Sequence, residues 1–125
     1  MPGDGSQLVS LTNSKDVAAL LASVLDQEEE AIAQRYFNCG TDQLVSYKEV
    51  AELCGKAAGV ADVKIESTGD EKRDFPFRAT NFYVAPDMAK EKLGWEGAKS
   101  KLGDDLAWYY EGYKERKPFI DAVIE

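Results

Sequence analysis

The chain has 125 residues, enough for one ordinary domain and too few for two. Apolar residues make up 44% and charged residues 30%, a globular balance that excludes a disordered or fibrous chain, and no apolar run approaches the roughly 18–20 residues a bilayer span needs. A formal charge of −8 with a pI near 4.6 makes this segment, taken alone, a poor nucleic-acid binder, and the absence of histidine excludes a Ser-His-Asp triad or any histidine acid/base.

The charge is uneven. Residues 1–70 hold 12 acids and 5 bases, a net −7, whereas residues 71–125 hold 11 acids and 10 bases, a net −1. The Met-Pro-Gly-Asp-Gly start has neither a basic region nor an apolar stretch, so it does not read as a signal or transit peptide.

In chain order, a turn is expected at Gly3-Asp4-Gly5-Ser6 and a short strand at Leu8-Val9-Ser10-Leu11. Asn13 or Ser14 caps a helix over 14–25. Its Val17, Leu20, Leu21, Val24 and Leu25 recur at i, i+3, i+4, i+7 and i+8, which makes one apolar face. Asp26-Gln27-Glu28-Glu29-Glu30 reads as a solvated acidic turn, and Arg35 to Gly40 as a buried strand ending at a glycine. After a loop at 41–45, Ser46-Tyr47-Lys48-Glu49 has the spacing of a capping box. The helix it opens, over 46–58, carries Val50, Leu53, Cys54 and Ala57 on one face and stops at Gly59. Asp62-Val63-Lys64-Ile65-Glu66 alternates as a half-exposed strand does.

Residues 67–83 have no period. Pro86 then sits at the first position of a short helix that Gly94 closes. Leu102-Gly103-Asp104-Asp105 opens the last helix, with two acids at its positive end. Leu106, Tyr109, Tyr110 and Tyr113 are expected to face the core, and a basic segment, Lys114–Lys117, leads to its end at Pro118. Strand, helix, strand, helix, strand and two further helices make an α/β chain. Its sheet is thin for the apolar faces on offer, so a further element or partner is expected to cover them.

Cys39 and Cys54 lack CxxC spacing, and without histidine a zinc site would need carboxylates in most positions. Both are read as buried thiols in a reducing compartment. Two Tyr-x-x-x-Lys matches, Tyr110/Lys114 and Tyr113/Lys117, place each pair on one helix face. They fall in the last helix and are read as core tyrosines and surface lysines. Gly3-x-Gly5-x-x-Leu8 lacks both the third glycine and the preceding strand of a dinucleotide fingerprint.

The order of several short motifs resembles the end of extended and atypical short-chain dehydrogenase/reductases. They are Lys15-Asp16-Val17-Ala18, Tyr36-Phe37-Asn38-Cys39-Gly40, Val45-Ser46-Tyr47-Lys48-Glu49, and a tag running from Met88-Ala89-Lys90 to Lys92-Leu93-Gly94-Trp95. Within that superfamily, Phe75-Pro76-Phe77-Arg78 followed by Phe82 and Tyr83 is most similar to the chloroplast stem-loop binding proteins. Asn13 and Asn81 stand where that branch is expected to carry histidines.

The resemblance implies an α/β fold, the C-terminal portion of a Rossmann-type extended short-chain dehydrogenase without its N-terminal cofactor half, with residues 1–125 forming a single substrate-side domain. It implies no cofactor in this chain and NAD(P) in the parent protein. The expected partners are the missing Rossmann half or a protein covering the apolar faces, and RNA or a nucleotide sugar through the parent. Three functions stay open: a plastid RNA-binding protein, an interaction or assembly subunit, and the substrate domain of an active epimerase/dehydratase. By itself the chain is expected to catalyse nothing.

One constellation carries ligand chemistry. Lys72, Arg73 and Arg78 lie among Phe77 and other aromatics, with Asn81 just after them. Guanidinium groups bind phosphate bidentately and aromatic faces stack on bases. The alternative is that Phe-Pro-Phe packs the loop down while its bases pair with Asp70, Glu71 and Asp74.

Overall fold

The computed structural model describes residues 3–33, 35–67 and 80–124, with side chains up to residue 117. In order, the elements are β1 (Leu8–Ser10), α1 (Ser14–Val24), α2 (Glu29–Ile32), β2 (Leu44–Ser46), α3 (Tyr47–Ala57), α4 (Asp87–Leu93) and α5 (Leu102–Ile124).

The helix starts follow local chemistry. Asn13 caps α1, its side-chain oxygen accepting from the Lys15 N–H at 2.8 Å. At α3 the capping box is complete: the Glu49 N–H donates to Ser46 Oγ at 3.1 Å, and Glu49 Oε2 accepts from the Ser46 N–H at 2.7 Å. Those bonds hold the Glu49 carboxyl below its ordinary range, the Ser46 backbone bond contributing most. Gly94 ends α4 in the left-handed region at φ 62°, where a side chain would be strained. Pro86 lies one residue earlier than expected, as the N-cap rather than the first helical residue.

The sheet differs from the expected one. β1 pairs with β2 antiparallel, Leu8 opposite Ser46, Val9 opposite Val45 and Ser10 opposite Leu44. A parallel bridge joins Val9 to Phe82, closed by Phe82 N–H to Leu8 O at 2.8 Å and Ser10 N–H to Phe82 O at 3.0 Å. The strands expected at 35–40 and 62–66 are absent among the described residues, although both segments bury side chains. Phe37 and Cys39 pack on the core cluster. A Cβ on Gly40 would stand 1.9 Å from the Val84 carbonyl oxygen, so the glycine there is required by backbone approach. Val63 and Ile65 are half-buried while Asp62, Lys64 and Glu66 are exposed, so the alternation is real. Its use is different. Val63 lies over α3 at Gly55, where a Cβ would meet Val63 Cγ2 at 1.9 Å. An extended segment becomes a strand only where another backbone runs at ladder spacing.

The core is Leu20 of α1, Ala89 and Leu93 of α4, and Trp95, with Val24, Ile32, Phe37, Cys39 and Ala98 against it. Ile32 gives the acid run a core-facing anchor, and so its end forms the short helix α2 instead of a turn alone. The predicted apolar face of α1 is split: Leu20 is 5% exposed, but its neighbour Leu21 is 65% and Leu25 86%. Elsewhere α3 packs on α5, with Gly103 beside Leu53. Cys54 lies one position off that contact and is exposed, contrary to expectation, and Cys39 is only half-buried. Partial burial and then the charge of Asp16 push the Cys39 thiol up. Leu106 and Tyr110 are half-buried as expected, whereas Tyr109 and Tyr113 are exposed. Helix α5 also continues beyond Pro118 to Ile124, where the sequence was expected to end it.

Candidate functional site

The predicted ligand loop joins two points fastened to the same short segment. On one side, Ser67 Oγ donates to the Gly3 carbonyl at 2.5 Å. On the other, Phe82 is bridged to β1, and Asn81 Oδ1 accepts from the Leu8 N–H at 2.9 Å. Asn81, a predicted ligand group, is therefore exposed yet engaged in holding the base of the loop. Lys72, Arg73, Phe77 and Arg78 lie outside the described residues. The segment that receives both ends is itself set by a turn: Asp4 Oδ1 accepts from the Ser6 N–H at 2.9 Å and from its hydroxyl at 2.7 Å.

Gln7 Oε1, Ser10 Oγ and Asn13 Nδ2 are buried atoms with no hydrogen-bond partner among the described residues. A buried polar atom left unpaired costs about 1–3 kcal/mol. Asn13 opens onto a cavity of about 320 Å³, walled by the start of α1, the 41–45 segment and the start of α5. Thr12, Gln43, Ser100, Asp105 and Tyr109 bring polar atoms to it, and Leu11, Val45 and Leu106 form apolar wall. Among the described residues that line it, none is basic.

Asp16 fixes one wall. It is 7% exposed, and its two oxygens accept from the Lys99 N–H at 2.9 Å and the Ser100 N–H at 3.3 Å. The aspartate of the Lys15-Asp16-Val17-Ala18 motif thereby ties the first turn of α1 to the segment entering α5. The motif's spacing pointed to the residue, but only the fold supplies its partners 83 and 84 positions away.

A second polar group lies below Tyr83. Lys90 Nζ donates to Asp42 Oδ2 at 2.5 Å, and Tyr83 hydrogen-bonds the same carboxylate. Partial burial, then the charges of Asp42 and Asp87, push the Tyr83 hydroxyl up, so it stays protonated at neutral pH. The bond to Asp42 likewise raises Lys90. This is an ion pair that fastens α4, not an activated tyrosine. Lys114 in the last helix pairs with Glu111 at 2.7 Å and lies 5.2 Å from the Tyr110 ring, as a surface lysine does. Among the described residues no group of three metal-ligating side chains exists, and no helix is long and apolar enough to cross a membrane.

No family model matches the chain. Over 102 residues it is 30% identical to the chloroplast stem-loop binding protein of 41 kDa b from Arabidopsis thaliana, covering 77% of this chain and 26% of that protein. An Arabidopsis thaliana protein named as a UDP-arabinose 4-epimerase is 34% identical over 77 residues, covering 60% of this chain and 17% of the relative. In fold the chain matches the UDP-glucuronic acid 4-epimerase of Bacillus cereus, solved in complex with NAD, with a TM-score of 0.63 and 18% identity over 86% of this chain and 31% of that one. The chain thus spans about a quarter of the first of these relatives and less of the second. The expected α/β architecture, a partial Rossmann-type epimerase fold, is the one found.

Proposed function

We propose, from a chain that corresponds to the C-terminal portion of an epimerase-like protein of the short-chain dehydrogenase type, that its task is to present a ligand-binding loop rather than to catalyse. The observation that carries this reading is the double anchoring of residues 67 and 81–82 on the segment from Gly3 to Ser10. Loop-borne ligand groups need a fixed base, and this loop has one on both sides. Lys72, Arg73 and Arg78 supply phosphate contacts, and Phe77 supplies a stacking face. The ligand we favour is single-stranded RNA, in keeping with the likeness to a stem-loop binding protein, and that likeness also supports a plastid location. NAD(P), as in the Bacillus cereus enzyme, belongs in this reading to a cofactor half elsewhere in the parent protein. The described residues contain no phosphate cradle of their own.

A second reading, an interaction or assembly subunit, draws on the open apolar groups. Leu21, Leu25 and Tyr36, the last 93% exposed, need cover from a Rossmann half or a protein partner. Titration with a fluorescent single-stranded RNA, a UDP-sugar and NADH separates the readings. RNA binding that Arg78→Ala weakens by about 1–3 kcal/mol, with a steep salt dependence, supports the first. Saturable binding of the UDP-sugar instead points to an epimerase substrate domain. Arg78→Ala equal to wild type for both ligands, with normal folding, moves the loop to a structural role and the interaction subunit to first place. NADH is expected to leave the fluorescence of Trp95 and Trp108 unquenched.

A further inference from the structure

Three separate stretches of the chain meet at the cavity of about 320 Å³, and each brings a different kind of group. The start of α1 brings Asn13. Its side-chain oxygen is taken up by the α1 cap, while its buried Nδ2 has no hydrogen-bond partner among the described residues. The 41–45 segment brings Val45 and Gln43, and the Gln43 backbone is fixed by its N–H, which donates to Thr41 Oγ1 at 3.1 Å. Helix α5 brings Leu106 and Tyr109. The Tyr109 ring is itself held, edge-to-face with Trp108 at 4.9 Å between centroids, and Lys15 Nζ lies 4.4 Å from the Trp108 ring. Side-chain amides read hydrogen-bonding edges, and aromatic and aliphatic side chains cover flat faces. The carboxylates of Asp16 and Asp105 also line the cavity, and they repel a phosphate brought close to them. The volume is at the small end of the range of about 300–1,000 Å³ for small-molecule sites, which suits a ligand of one or two rings.

We propose that this cavity is a nucleobase pocket. An unstacked base meets the amides of Asn13 and Gln43 with its hydrogen-bonding edge and Tyr109, Val45 and Leu106 with its faces. Its sugar and phosphate stay outside, away from Asp16 and Asp105. Asn13 Nδ2 donates to a carbonyl oxygen of the base, and the Gln43 amide, both donor and acceptor, takes the neighbouring polar atoms. The base can come from two sources, a strand of RNA or a free nucleotide or nucleotide sugar. The first source rests on the RNA reading above and deepens it. The cavity begins at Leu11, three residues beyond the Leu8 N–H that receives Asn81, so at most about 10 Å of chain separates it from the anchored end of the loop. A strand gripped by its phosphates at the loop then has a base within reach. The loop supplies affinity, and the cavity supplies preference among bases.

The test is an NMR titration of the isotope-labelled full chain with uridine, cytidine, adenosine and guanosine, and with ribose phosphate for comparison. At least one nucleoside is expected to give saturable shifts at the Gln43 side-chain amide and the Ser100 and Leu102 backbone amides, and ribose phosphate none. Gln43→Leu and Tyr109→Ala should each weaken that binding at least about tenfold, whereas Tyr109→Phe, which keeps the ring, should stay within about threefold. The far-ultraviolet helix signal of each variant separates lost binding from lost folding. Fluorescent RNA homopolymers then identify the source. If it is RNA, Gln43→Leu flattens the preference among homopolymers while the steep salt dependence stays. Nucleoside binding without RNA binding keeps the pocket, sinks the RNA reading and assigns the base to a free nucleotide or nucleotide sugar. No saturable shift with any nucleoside overturns the pocket, and RNA binding by the same sample then leaves the loop reading standing. Shifts that Gln43→Leu and Tyr109→Ala leave unchanged in folded chains overturn it as well.

Discussion

Leu20 and Leu21 are neighbours on α1 with the same side chain, yet one is sealed between α4 and Trp95 and the other is two-thirds exposed. Around Leu20 the molecule is finished: Gln27 Nε2 donates to the Leu93 carbonyl at 3.3 Å, and Asp16 holds the backbone at Lys99 and Ser100. Around Leu21, Leu25 and Tyr36 the apolar groups face solvent, and near β1 three buried polar atoms go unpaired among the described residues. The lesson is that an amphipathic pattern records every surface a helix must bury in its working context, while a 125-residue chain need satisfy only some of them internally.

The contrast makes a graded set of expectations for urea unfolding of the chain. Leu20→Ala should cost most, about 3 kcal/mol, because it removes a core side chain and leaves a cavity against Leu93 and Trp95. Asp16→Ala should follow at about 2 kcal/mol, since the Lys99 and Ser100 N–H groups lose their acceptor in a partly buried place. Asp16→Asn, which keeps an oxygen there, should lose less. If Asp16→Ala proves neutral, the finished side of the molecule does not depend on that clamp.

Ser46→Ala should cost about 1 kcal/mol, the usual worth of an N-cap. The same box predicts a pH effect of definite sign. The folded-state pKa of Glu49 is lowered, so its contribution is fully present above its ordinary range, about 4.3, and is lost as the pH falls through the folded value. Acid titration of wild type against Glu49→Ala should therefore show a difference that shrinks toward low pH. A constant difference would mean that the reciprocal Glu49 bond adds nothing. The smallest effect belongs to Leu21→Ala, expected within about 0.5 kcal/mol of wild type in the isolated chain. A loss comparable with that of Leu20→Ala would erase the distinction between the two sides and show that Leu21 is covered in solution.

Much of the candidate site was legible as residue type and little of it as geometry. Asn81 is legible as a polar ligand-type group, but not the bond that its oxygen accepts from the Leu8 N–H. Asp16 stood in a recognised motif without a role, because its partners lie at the far end of the chain. Tyr109 and Tyr113 were expected in the core on helical spacing, but the spacing names a face without naming what lies opposite it, and α3 meets a different side of α5.

What the sequence by itself determined are the features whose bonds close within one or two turns. These are the Asn13 cap, the Ser46–Glu49 box, the left-handed stop at Gly94 and the spans of α1 and α3. What only the tertiary structure decided is which backbones pair and which apolar faces are buried. Leu44–Ser46 became the partner of β1, the extended segments at 35–40 and 62–66 did not become strands, and Leu20 went inside while Leu21 stayed out. The reason is one of range: caps and turns are satisfied by atoms a few residues away, whereas a ladder or a buried face requires a second surface whose position no local pattern encodes.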